Sequence, residues 1–503
     1  MRTTSPRPSN TELIIRREHR ESSRHFIEHV LDRPGPAAAG LPATIDNVRR
    51  RLNANDMDHP PNTPSFSPVL LTDLYALTML QAYFDEGMSD EAVFSLFVRR
   101  LPARRNLLLA CGLDDVLTYL ETLRFDQPAL AYLDSLGRFS TRFLQHLERF
   151  RFTGRVDAVP EGTPVFANEP ILEVAAPIAE AQFIEAFVMN QVHLQTVLAS
   201  KALRIIMAAA GRQVVDFGLR RMHGIDAGMK AARAFNIAGV HATSNVAAGQ
   251  AYGVRIAGTM AHSYIQAHDN EYEAFRAFAR LYPDTVLLVD TYDTLAGIGK
   301  VIELAKELGR DFRVTAVRLD SGDLLDLSNR ARRLLDEAGL HTVGIFVSSS
   351  LDEGAIAALV AAGAPVDGFG VGAEMGISPD APSLDIVYKL VEYSGRGRVK
   401  LSPGKAILPG RKQIFRVERD GLAEYDVVAR HDETPCGRAL LQPVMNDGAR
   451  LPDGRKTLAD ARARRTMELD RLPAPLRSIQ PASYRVEVSA SLAADLEALR
   501  QQH

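Results

Sequence analysis

The chain has 503 residues, which predicts two or three domains, and its 46% hydrophobic and 24% charged residues are typical of a globular protein. A formal net charge of −3 provides no general attraction to nucleic acid or to anionic membranes, so neither is expected as a partner. No apolar run reaches the roughly 18 residues needed to span a bilayer, and the two cysteines lack metal-ligand spacing, which favours a cytoplasmic protein.

Residues 1–64 differ in composition from the rest of the chain. They are rich in proline, serine, asparagine and arginine, and they end in the run His59-Pro60-Pro61-Asn62-Thr63-Pro64. Because such a composition buries little apolar surface, we expect a disordered N-terminal arm over residues 1–64.

The next segment, residues 65–175, is expected to form an α+β domain. It opens with Thr72-Asp73, a pair that caps helices, and continues with a strand from Val93 to Arg100. Further predicted elements are helices over Gly112–Leu123 and Gln127–Leu147, strands with turns over Val156–Val174, and a long helix over Ile178–Ala210.

From Val214 onwards, short apolar runs recur roughly every 22 to 30 residues, each closed by polar residues or glycine and followed by a helical segment. The runs are Val214–Val215, Val240, Val254–Ile256, Val286–Val289, Val314–Leu319, Val343–Val347 and Val366. A doubly wound sheet has similar spacing, but about seven units in succession favour an α/β barrel over residues 176–391. Residues 392–503 lack this alternation, and we expect them to pack back on the N-terminal domain.

His262 is the first candidate for chemistry. It follows the apolar run Val254–Ala257 and the pair Gly258-Thr259. A histidine delivered by a short strand lies where a barrel places its catalytic residues, and neutral imidazole is a good nucleophile. The alternative is a buried, hydrogen-bonded structural histidine.

A second group of polar residues ends the strand near Leu319. Arg318 is suited to clamp an anion, and the carboxylates of Asp320 and Asp323, on either side of Ser321-Gly322, can hold Mg²⁺ or ribose hydroxyls. Alternatively, residues 320–323 form a helix N-cap turn, with Asp323 in the first turn of the next helix.

Glycines and basic residues add the features of a phosphate site. Gly370 and Gly372 follow the last predicted barrel strand, where glycine lets backbone N–H groups approach a phosphate; the alternative is a tight turn. Two basic clusters, either of which can instead be a solvated surface, are Arg220-Arg221 and the loop with Lys400, Lys405, Arg411 and Lys412. Together with His262 and the carboxylates, they indicate a nucleotide or sugar-phosphate transferase.

Six separated motifs resemble those of the nicotinate phosphoribosyltransferase family and follow the same order. They are Leu71-Thr72-Asp73-Leu74-Tyr75 with Thr78-Met79, Phe217-Gly218-Leu219-Arg220-Arg221, Thr243-Ser244-Asn245, Gly258-Thr259-Met260-Ala261-His262-Ser263, Arg318–Asp323 and Lys400-Leu401-Ser402-Pro403-Gly404-Lys405. The resemblance implies an α/β fold, with an irregular (β/α) barrel of the type II phosphoribosyltransferase kind. Beside it would lie a mixed α+β domain built from the N- and C-terminal parts.

The resemblance also implies an activity in NAD salvage. Nicotinate and phosphoribosyl pyrophosphate would give nicotinate mononucleotide and pyrophosphate, with Mg²⁺ as cofactor and with hydrolysis of the co-substrate ATP coupled through phosphorylation of His262. Tyr75, Thr259 and Arg318 match positions that contact nicotinate, with Tyr75 coming from the partner subunit of a homodimer. The candidates for phosphate or phosphoribosyl pyrophosphate are Arg220, Arg221, Ser321, Gly322, Gly370, Gly372, Ala373, Lys400 and Lys405, and the candidate catalytic carboxylates are Asp320 and Asp323.

Three positions depart from the usual pattern of this family. Ala373 stands where a threonine follows Gly-Val-Gly, Ser350 stands where an acidic residue is common, and Ile407 replaces a threonine. Losing a hydroxyl that contacts phosphate costs about 1 kcal/mol. A nicotinamide or quinolinate enzyme, or a non-catalytic homologue that binds NAD precursors, therefore stays open as an alternative.

Overall fold

The computed structural model describes residues 66–402 and 407–502. The predicted arm over residues 1–64 and the candidate phosphate residue Lys405 lie outside the described residues. Across the described ranges, no helix is long and apolar enough to cross a membrane.

The N-terminal region combines short strands with helices. Its elements are α1 (Leu74–Asp85), β1 (Glu91–Val98), β2 (Leu108–Leu109), α2 (Leu113–Thr122), α3 (Gln127–Ser135), α4 (Thr141–Leu147), β3 (Arg155–Ala158), β4 (Pro164–Val165), β5 (Pro170–Pro177), α5 (Ile178–Phe183) and α6 (Glu185–Ala208). In β1, Phe94 belongs to the main core and Phe97 to a second apolar cluster, so both faces of this strand are buried.

Two helices predicted as continuous are each divided. The stretch from Gln127 to Leu147 breaks because Gly137 adopts φ +61°, and the second helix restarts at Ser140, whose hydroxyl accepts a hydrogen bond from the Phe143 amide. The stretch from Ile178 to Ala210 breaks at Ile184, where the amide donates to the carbonyl of Gln182. Apolar periodicity continues across both breaks and hides them in the sequence.

The middle of the chain alternates strands and helices. Its elements are β6 (Gln213–Asp216), α7 (Ile225–Ala238), β7 (Ala242–Thr243), α8 (Val246–Tyr252), α9 (His262–Gln266), α10 (Glu271–Leu281), β8 (Val286–Leu288), α11 (Thr294–Leu308), β9 (Ala316–Leu319), α12 (Leu324–Glu337), β10 (Gly344–Ser349), α13 (Glu353–Ala361), β11 (Gly368–Val371) and α14 (Ala373–Ile377). The strands form one parallel sheet in the order β7-β6-β11-β10-β9-β8.

This parallel sheet curls like a barrel but leaves one seam open. The last strand, β11, pairs with the first, β6, as in a barrel. After β7, only Ile256 adds a parallel bridge, to Thr243, and β8 forms the other edge of the sheet described here. The irregular α/β barrel predicted from the resemblance is therefore confirmed, whereas the predicted strand over Val254–Ile256 is reduced to a single bridge.

The C-terminal region is mainly antiparallel. Its elements are β12 (Ile386–Tyr393), β13 (Arg396–Gly397), β14 (Lys412–Arg419), β15 (Leu422–Arg430), β16 (Arg438–Ala439), β17 (Gln442–Asn446), β18 (Ala449–Arg450), α15 (Leu458–Asp470), β19 (Arg485–Val488) and α16 (Ala490–Gln501). A seven-stranded sheet joins both ends of the chain in the order β13-β12-β1-β5-β3-β17-β18, and β14–β16 with β19 form a four-stranded sheet. The predicted boundary at residue 391 falls inside β12, a strand of the seven-stranded sheet. The domain boundaries stay a prediction.

A buried ionic cluster connects the start of β5 to the four-stranded sheet. Arg416 and Asp426, on neighbouring strands, are fully buried, and Arg416 Nη2 lies 2.7 Å from Asp426 Oδ2. Glu169 is also fully buried. Burial and the adjacent Asp426 carboxyl raise the pKa of Glu169 well above its usual range, so the native protein favours its protonated form.

We expect Glu169→Gln to reduce the loss of stability that the wild type shows as the pH rises above the unfolded pKa of a glutamate. The pKa of Glu169 is higher in the folded than in the unfolded chain, so its contribution to stability is complete below the unfolded value of about 4.3. That contribution is lost as the pH rises through the folded pKa. When thermal unfolding is measured from about pH 5 to about pH 9, the melting temperature should therefore decrease more steeply for the wild type than for the variant. Glu424→Gln, at an exposed site in β15, should behave as the wild type, and identical profiles for all three proteins would contradict the assignment.

Candidate active site

A cavity of about 550 Å³ lies at the carboxyl ends of the parallel strands. The loops after β6, β7, β9, β10 and β11 build its wall together with the segment before α9. It is lined by Phe217, Leu219, Arg220, Arg221, Ser244, Gly258, Thr259, Met260, Ala261, Arg318, Asp320, Ser348, Ser349, Ser350, Gly370, Gly372, Ala373 and Glu374. Three arginines against two carboxylates in this lining favour an anionic ligand.

Arg318 is held in the wall by contacts on one side of its guanidinium group. Its side chain is 12% exposed, Nη1 donates to Thr259 Oγ1 at 2.8 Å, and the guanidinium lies 5.7 Å from the centre of the Phe217 ring. Nη2 lies 3.7 Å from Asp320 Oδ2, beyond hydrogen-bond distance. Burial lowers the pKa of Arg318, so this group gains from an anionic partner. The edge of the guanidinium group that carries Nη2 makes no hydrogen bond to the described residues and is suited to a planar anion such as a carboxylate.

His262 lies beside this cavity, but no strand delivers it. Because β7 has only two residues, strand pairing ends at Ile256, and His262 becomes the first residue of α9. Its side chain is 39% exposed, which differs from the buried structural alternative. Nδ1 is 3.1 Å from Thr291 Oγ1, and Nε2 is 3.6 Å from Asp320 Oδ2. His262, Arg318 and Asp320 thus lie next to one another.

Asp320 is oriented by two residues that the sequence did not single out as functional. The Asp320 amide donates to Asp290 Oδ2 at 2.8 Å, and the Ser348 hydroxyl donates to Asp320 Oδ1 at 2.5 Å. Ser321 also donates to Asp290 Oδ2, at 2.6 Å. Asp290 and Ser348 each end the apolar run of a strand that pairs with β9, namely β8 and β10. This shared position at a strand end was the signal by which they could have been found.

Gly370, near the end of β11, and Gly372 and Ala373, which follow this strand, line the cavity, and their binding of phosphate stays a prediction. A Cβ atom at Gly370 would lie 2.6 Å from the Phe217 ring, so this glycine permits close packing of an aromatic side chain. Glu374 follows in the same wall and was not predicted. The predicted basic pair Arg220-Arg221 also lines the cavity. Both arginines are exposed and belong to the 3-10 helix Leu219–Arg221.

Other predicted site residues are not among those lining the cavity. Asp323 accepts hydrogen bonds from the amides of Leu325 and Asp326, which is the helix-cap alternative, and the turn before it places Gly322 at φ +79°. Arg411 is paired with Asp157, and Lys412 Nζ lies 3.1 Å from Glu173 Oε1. The remaining predicted residues outside the lining are Tyr75, Ser321 and Lys400, together with His262, which lies beside the cavity next to Asp320. The roles of these residues stay predictions.

The carboxylates of the site fit a magnesium ion that is carried with phosphate. The described residues contain no group of three or more His, Cys, Asp or Glu side chains able to hold a metal by themselves. However, Asp290 Oδ1 is buried and has no hydrogen-bond partner in the described ranges, and Asp290 contacts the backbone of Asp320, which lines the cavity. Magnesium is commonly bound by one or two carboxylates plus substrate phosphates, and this pair meets that requirement.

Comparisons with known proteins identify the family and agree with the fold. The models of the nicotinate phosphoribosyltransferase N-terminal domain and of the nicotinate phosphoribosyltransferase family match residues 70–193 and 212–410, respectively. Nicotinate phosphoribosyltransferase pncB2 of Mycobacterium tuberculosis is 54% identical over 433 residues, which cover 86% of this chain and 94% of the relative. Nicotinate phosphoribosyltransferase of Bacillus subtilis is 42% identical, over 72% of this chain and 76% of the relative.

A solved structure extends the likeness to three dimensions. The crystal structure of human nicotinic acid phosphoribosyltransferase matches with a TM-score of 0.75 and 29% identity, over 86% of this chain and 100% of that one. The high identity to relatives covered almost throughout, the two matching family models and the shared fold lead to one conclusion. The chain belongs to the nicotinate phosphoribosyltransferase family.

Proposed function

We propose that this protein transfers the phosphoribosyl group of phosphoribosyl pyrophosphate to nicotinate and couples the transfer to ATP hydrolysis. The observation that carries the proposal is Arg318, whose guanidinium forms part of the cavity wall and makes its hydrogen bonds to described residues only through Nη1. The free edge of such a group favours a carboxylate over a neutral amide. Nicotinate differs from nicotinamide in this one substituent.

In the transfer, the ring nitrogen of nicotinate attacks C1 of the ribose while the bond from C1 to the pyrophosphate oxygen breaks. The protein contributes positioning and charge neutralisation. Arg318 and Thr259 hold the base, and Arg220 and Arg221 face the phosphates from the same cavity wall. The glycine loop after β11 brings backbone close to the phosphate ester.

Two carboxylates would hold the magnesium ion of this reaction. They are Asp320, which lines the cavity, and Asp290, which has the unpartnered oxygen described above. When bound, magnesium would neutralise charge on the leaving pyrophosphate. Ser348 fixes the orientation of Asp320 through its hydroxyl group.

His262 is the proposed acceptor of the γ-phosphoryl group of ATP. Thr291 holds Nδ1, whereas Nε2 is beyond hydrogen-bond distance of Asp320 and is free to attack. A bond forms between Nε2 and phosphorus, the bond from phosphorus to the β–γ bridging oxygen breaks, and ADP leaves; water later accepts the phosphoryl group. The phosphorylated side chain adds negative charge next to Asp320 and changes the electrostatic setting of the bound phosphates.

We further propose a homodimer with shared active sites. Tyr75 is 47% exposed and does not line the cavity of its own subunit, and Leu71 and Leu74 next to it are also exposed. The Tyr75 hydroxyl donates to Glu185 Oε2 at 2.9 Å, and burial together with this carboxylate raises the pKa of Tyr75 to about 12. An exposed apolar group around a tyrosine suits contact with a second copy.

Mixing two inactive variants tests the sharing of sites. A dimer of one Tyr75→Ala subunit and one Arg318→Ala subunit retains one site in which both residues are intact. Random exchange makes about half of the dimers hybrid, so we expect about one quarter of the wild-type activity to return. If subunit exchange is shown by mass and the mixture remains as inactive as its parents, the sharing of sites is wrong.

The proposed function is tested by measuring mononucleotide formation from nicotinate, nicotinamide and quinolinate, each with and without ATP. We expect product from nicotinate at the highest kcat/KM, with ATP stimulating the reaction and ADP appearing. A preference for one of the other bases would establish the corresponding alternative enzyme. Binding without turnover of any base would indicate the non-catalytic homologue suggested by Ala373 and Ser350.

A further inference from the structure

Five charged side chains form a buried cluster next to the cavity wall. In this cluster, which we call the Lys201 cluster, Lys201 Nζ lies 2.5 Å from Glu353 Oε2 and 2.9 Å from Asp380 Oδ1. Two arginines complete it, since Arg204 Nε donates to Glu353 Oε1 at 2.9 Å and Arg105 Nη1 donates to Asp380 Oδ2 at 2.7 Å. Lys201 and Glu353 have side chains that are 1% and 3% exposed.

Each charged side chain of the Lys201 cluster forms an ion pair with at least one other member. Burial alone would raise the pKa values of Glu353 and Asp380, but hydrogen bonds from Lys201 and the arginines hold both below their usual range. Both carboxyl groups are therefore ionised in the folded protein. The cluster contains three cations and two carboxylates, so it also places an excess positive charge within the protein.

The two carboxylates belong to the two loops that face the proposed phosphate region. Glu353 begins α13, directly after the β10 loop, which comprises residues 350–352. Ser350 of this loop lines the cavity together with Ser348 and Ser349 at the end of β10. Asp380 lies in the segment between β11 and β12, residues 372–385, which contains α14 and which we call the β11 loop. Gly372, Ala373 and Glu374, at the start of this loop, line the cavity. Arg105 also donates to the Ser378 hydroxyl at 3.1 Å. The ammonium group of Lys201, on α6, is therefore the common contact of both loops.

Stability alone does not account for such a cluster. A buried ion pair is often no more stabilising than apolar side chains of similar volume, because both charges lose their hydration. Such a cluster can instead contribute by fixing the geometry of nearby loops. A displacement of about 1 Å in a group that positions a substrate can lower the rate about 100-fold. The Lys201 cluster connects the end of the β10 loop to the β11 loop through Glu353 and Asp380.

We propose that Lys201 is a positioning residue for phosphoribosyl pyrophosphate, and that it acts by holding the β10 and β11 loops at the spacing which the phosphates require. This inference rests on the proposed function, since it concerns the same cavity. Nicotinate binding, which depends on Arg318 and Thr259 in other segments of the wall, should be largely independent of Lys201.

The test compares Lys201→Met with a matched control, Arg416→Met. Arg416 is equally buried and also contacts two carboxylates, Asp426 and Glu468, but these three lie on β14, β15 and α15, none of which adjoins a segment that lines the cavity. Both variants should lower the melting temperature. Only Lys201→Met should raise KM for phosphoribosyl pyrophosphate and the Kd of inorganic pyrophosphate, measured by calorimetry, each by about tenfold or more, while KM for nicotinate stays within about twofold.

A second variant separates position from charge. Glu353→Gln removes a negative charge, so it would strengthen pyrophosphate binding if the cluster acted only through its electric field; we expect it to weaken binding, as Lys201→Met does. Should Lys201→Met fail to fold, Asp380→Asn at the edge of the cluster carries the same expectation. Unchanged pyrophosphate binding in the folded variants, or an equal loss in Arg416→Met, would overturn the inference. A wild-type protein that binds no pyrophosphate or phosphoribosyl pyrophosphate would instead refute the proposed function.

Discussion

Arg318→Met is expected to lower kcat/KM for nicotinate by about 100-fold to 1,000-fold, which corresponds to about 3 to 4 kcal/mol of lost transition-state binding. Methionine keeps an apolar stem against Phe217, but it has no donor for the carboxylate of the base. The neutral amide of nicotinamide gains little from the guanidinium, so its kcat/KM should change much less. The variant should therefore lose the preference for nicotinate, and it should not merely be a slower enzyme.

The measurement is the ratio of kcat/KM for the two bases in wild type and variant. Arg330→Met is a suitable control, because Arg330 is an exposed arginine on α12, the helix that follows the same strand. An unchanged ratio in Arg318→Met, with lower activity on both bases, would remove Arg318 from recognition of the carboxylate. It would leave Arg318 a general contributor to the charge of the cavity.

His262→Ala is expected to abolish both ATP hydrolysis and phosphorylation of the protein. If Nε2 carries the phosphoryl group, incubation with ATP labelled in the γ-phosphate gives an acid-labile, alkali-stable phosphoprotein, because a phosphorus–nitrogen bond hydrolyses once it is protonated. Transfer from phosphoribosyl pyrophosphate without ATP can persist at a low rate, since other residues supply positioning. The melting temperature should stay close to that of the wild type, because the side chain is 39% exposed.

His341→Ala provides the matched control, because His341 has a 70% exposed side chain and contacts Asp336, which is not a cavity residue, whereas His262 lies near Asp320 of the cavity wall. This control should label as the wild type does. Labelling that persists in His262→Ala would place the phosphoryl group on another residue. His262 would then be a neighbour of Asp320 with no part in the coupling to ATP.

The parts of the fold that have a local pattern could be predicted from the sequence. Apolar runs closed by polar residues marked six of the parallel strands, and with them the strand-end position of Arg318 and Asp320. The same rule applied to Asp290 and Ser348, yet their contacts with Asp320 were not predicted because they are 30 and 28 positions away from it along the chain. The position of His262 was wrong in detail, since the neighbouring β7 is too short to pair with a full strand.

Other features have no local pattern. Lys201 and Glu353 meet although 152 positions separate them, and α6 alone would suggest only a lysine within a largely apolar helix. The same holds for the pairs that occupy Arg411 and Lys412, whose partners lie in β3 and β5. A charge cluster found along the chain therefore does not reveal that Arg411 and Lys412 are paired with carboxylates. Their partners follow only from the packing of the sheets.

The open seam of the barrel affects the local stability of the segment that leads to His262. A strand paired on both sides exchanges its amide hydrogens only when the sheet itself opens. Here the Ala257 amide donates a hydrogen bond to the Thr243 carbonyl, and the Arg318 side chain donates one to the Thr259 hydroxyl. On the other side of this segment, β8 forms no strand pairing with it. The segment can open at a free energy well below that of global unfolding. The histidine can thus change its charge and shape while the sheet beneath it keeps its register.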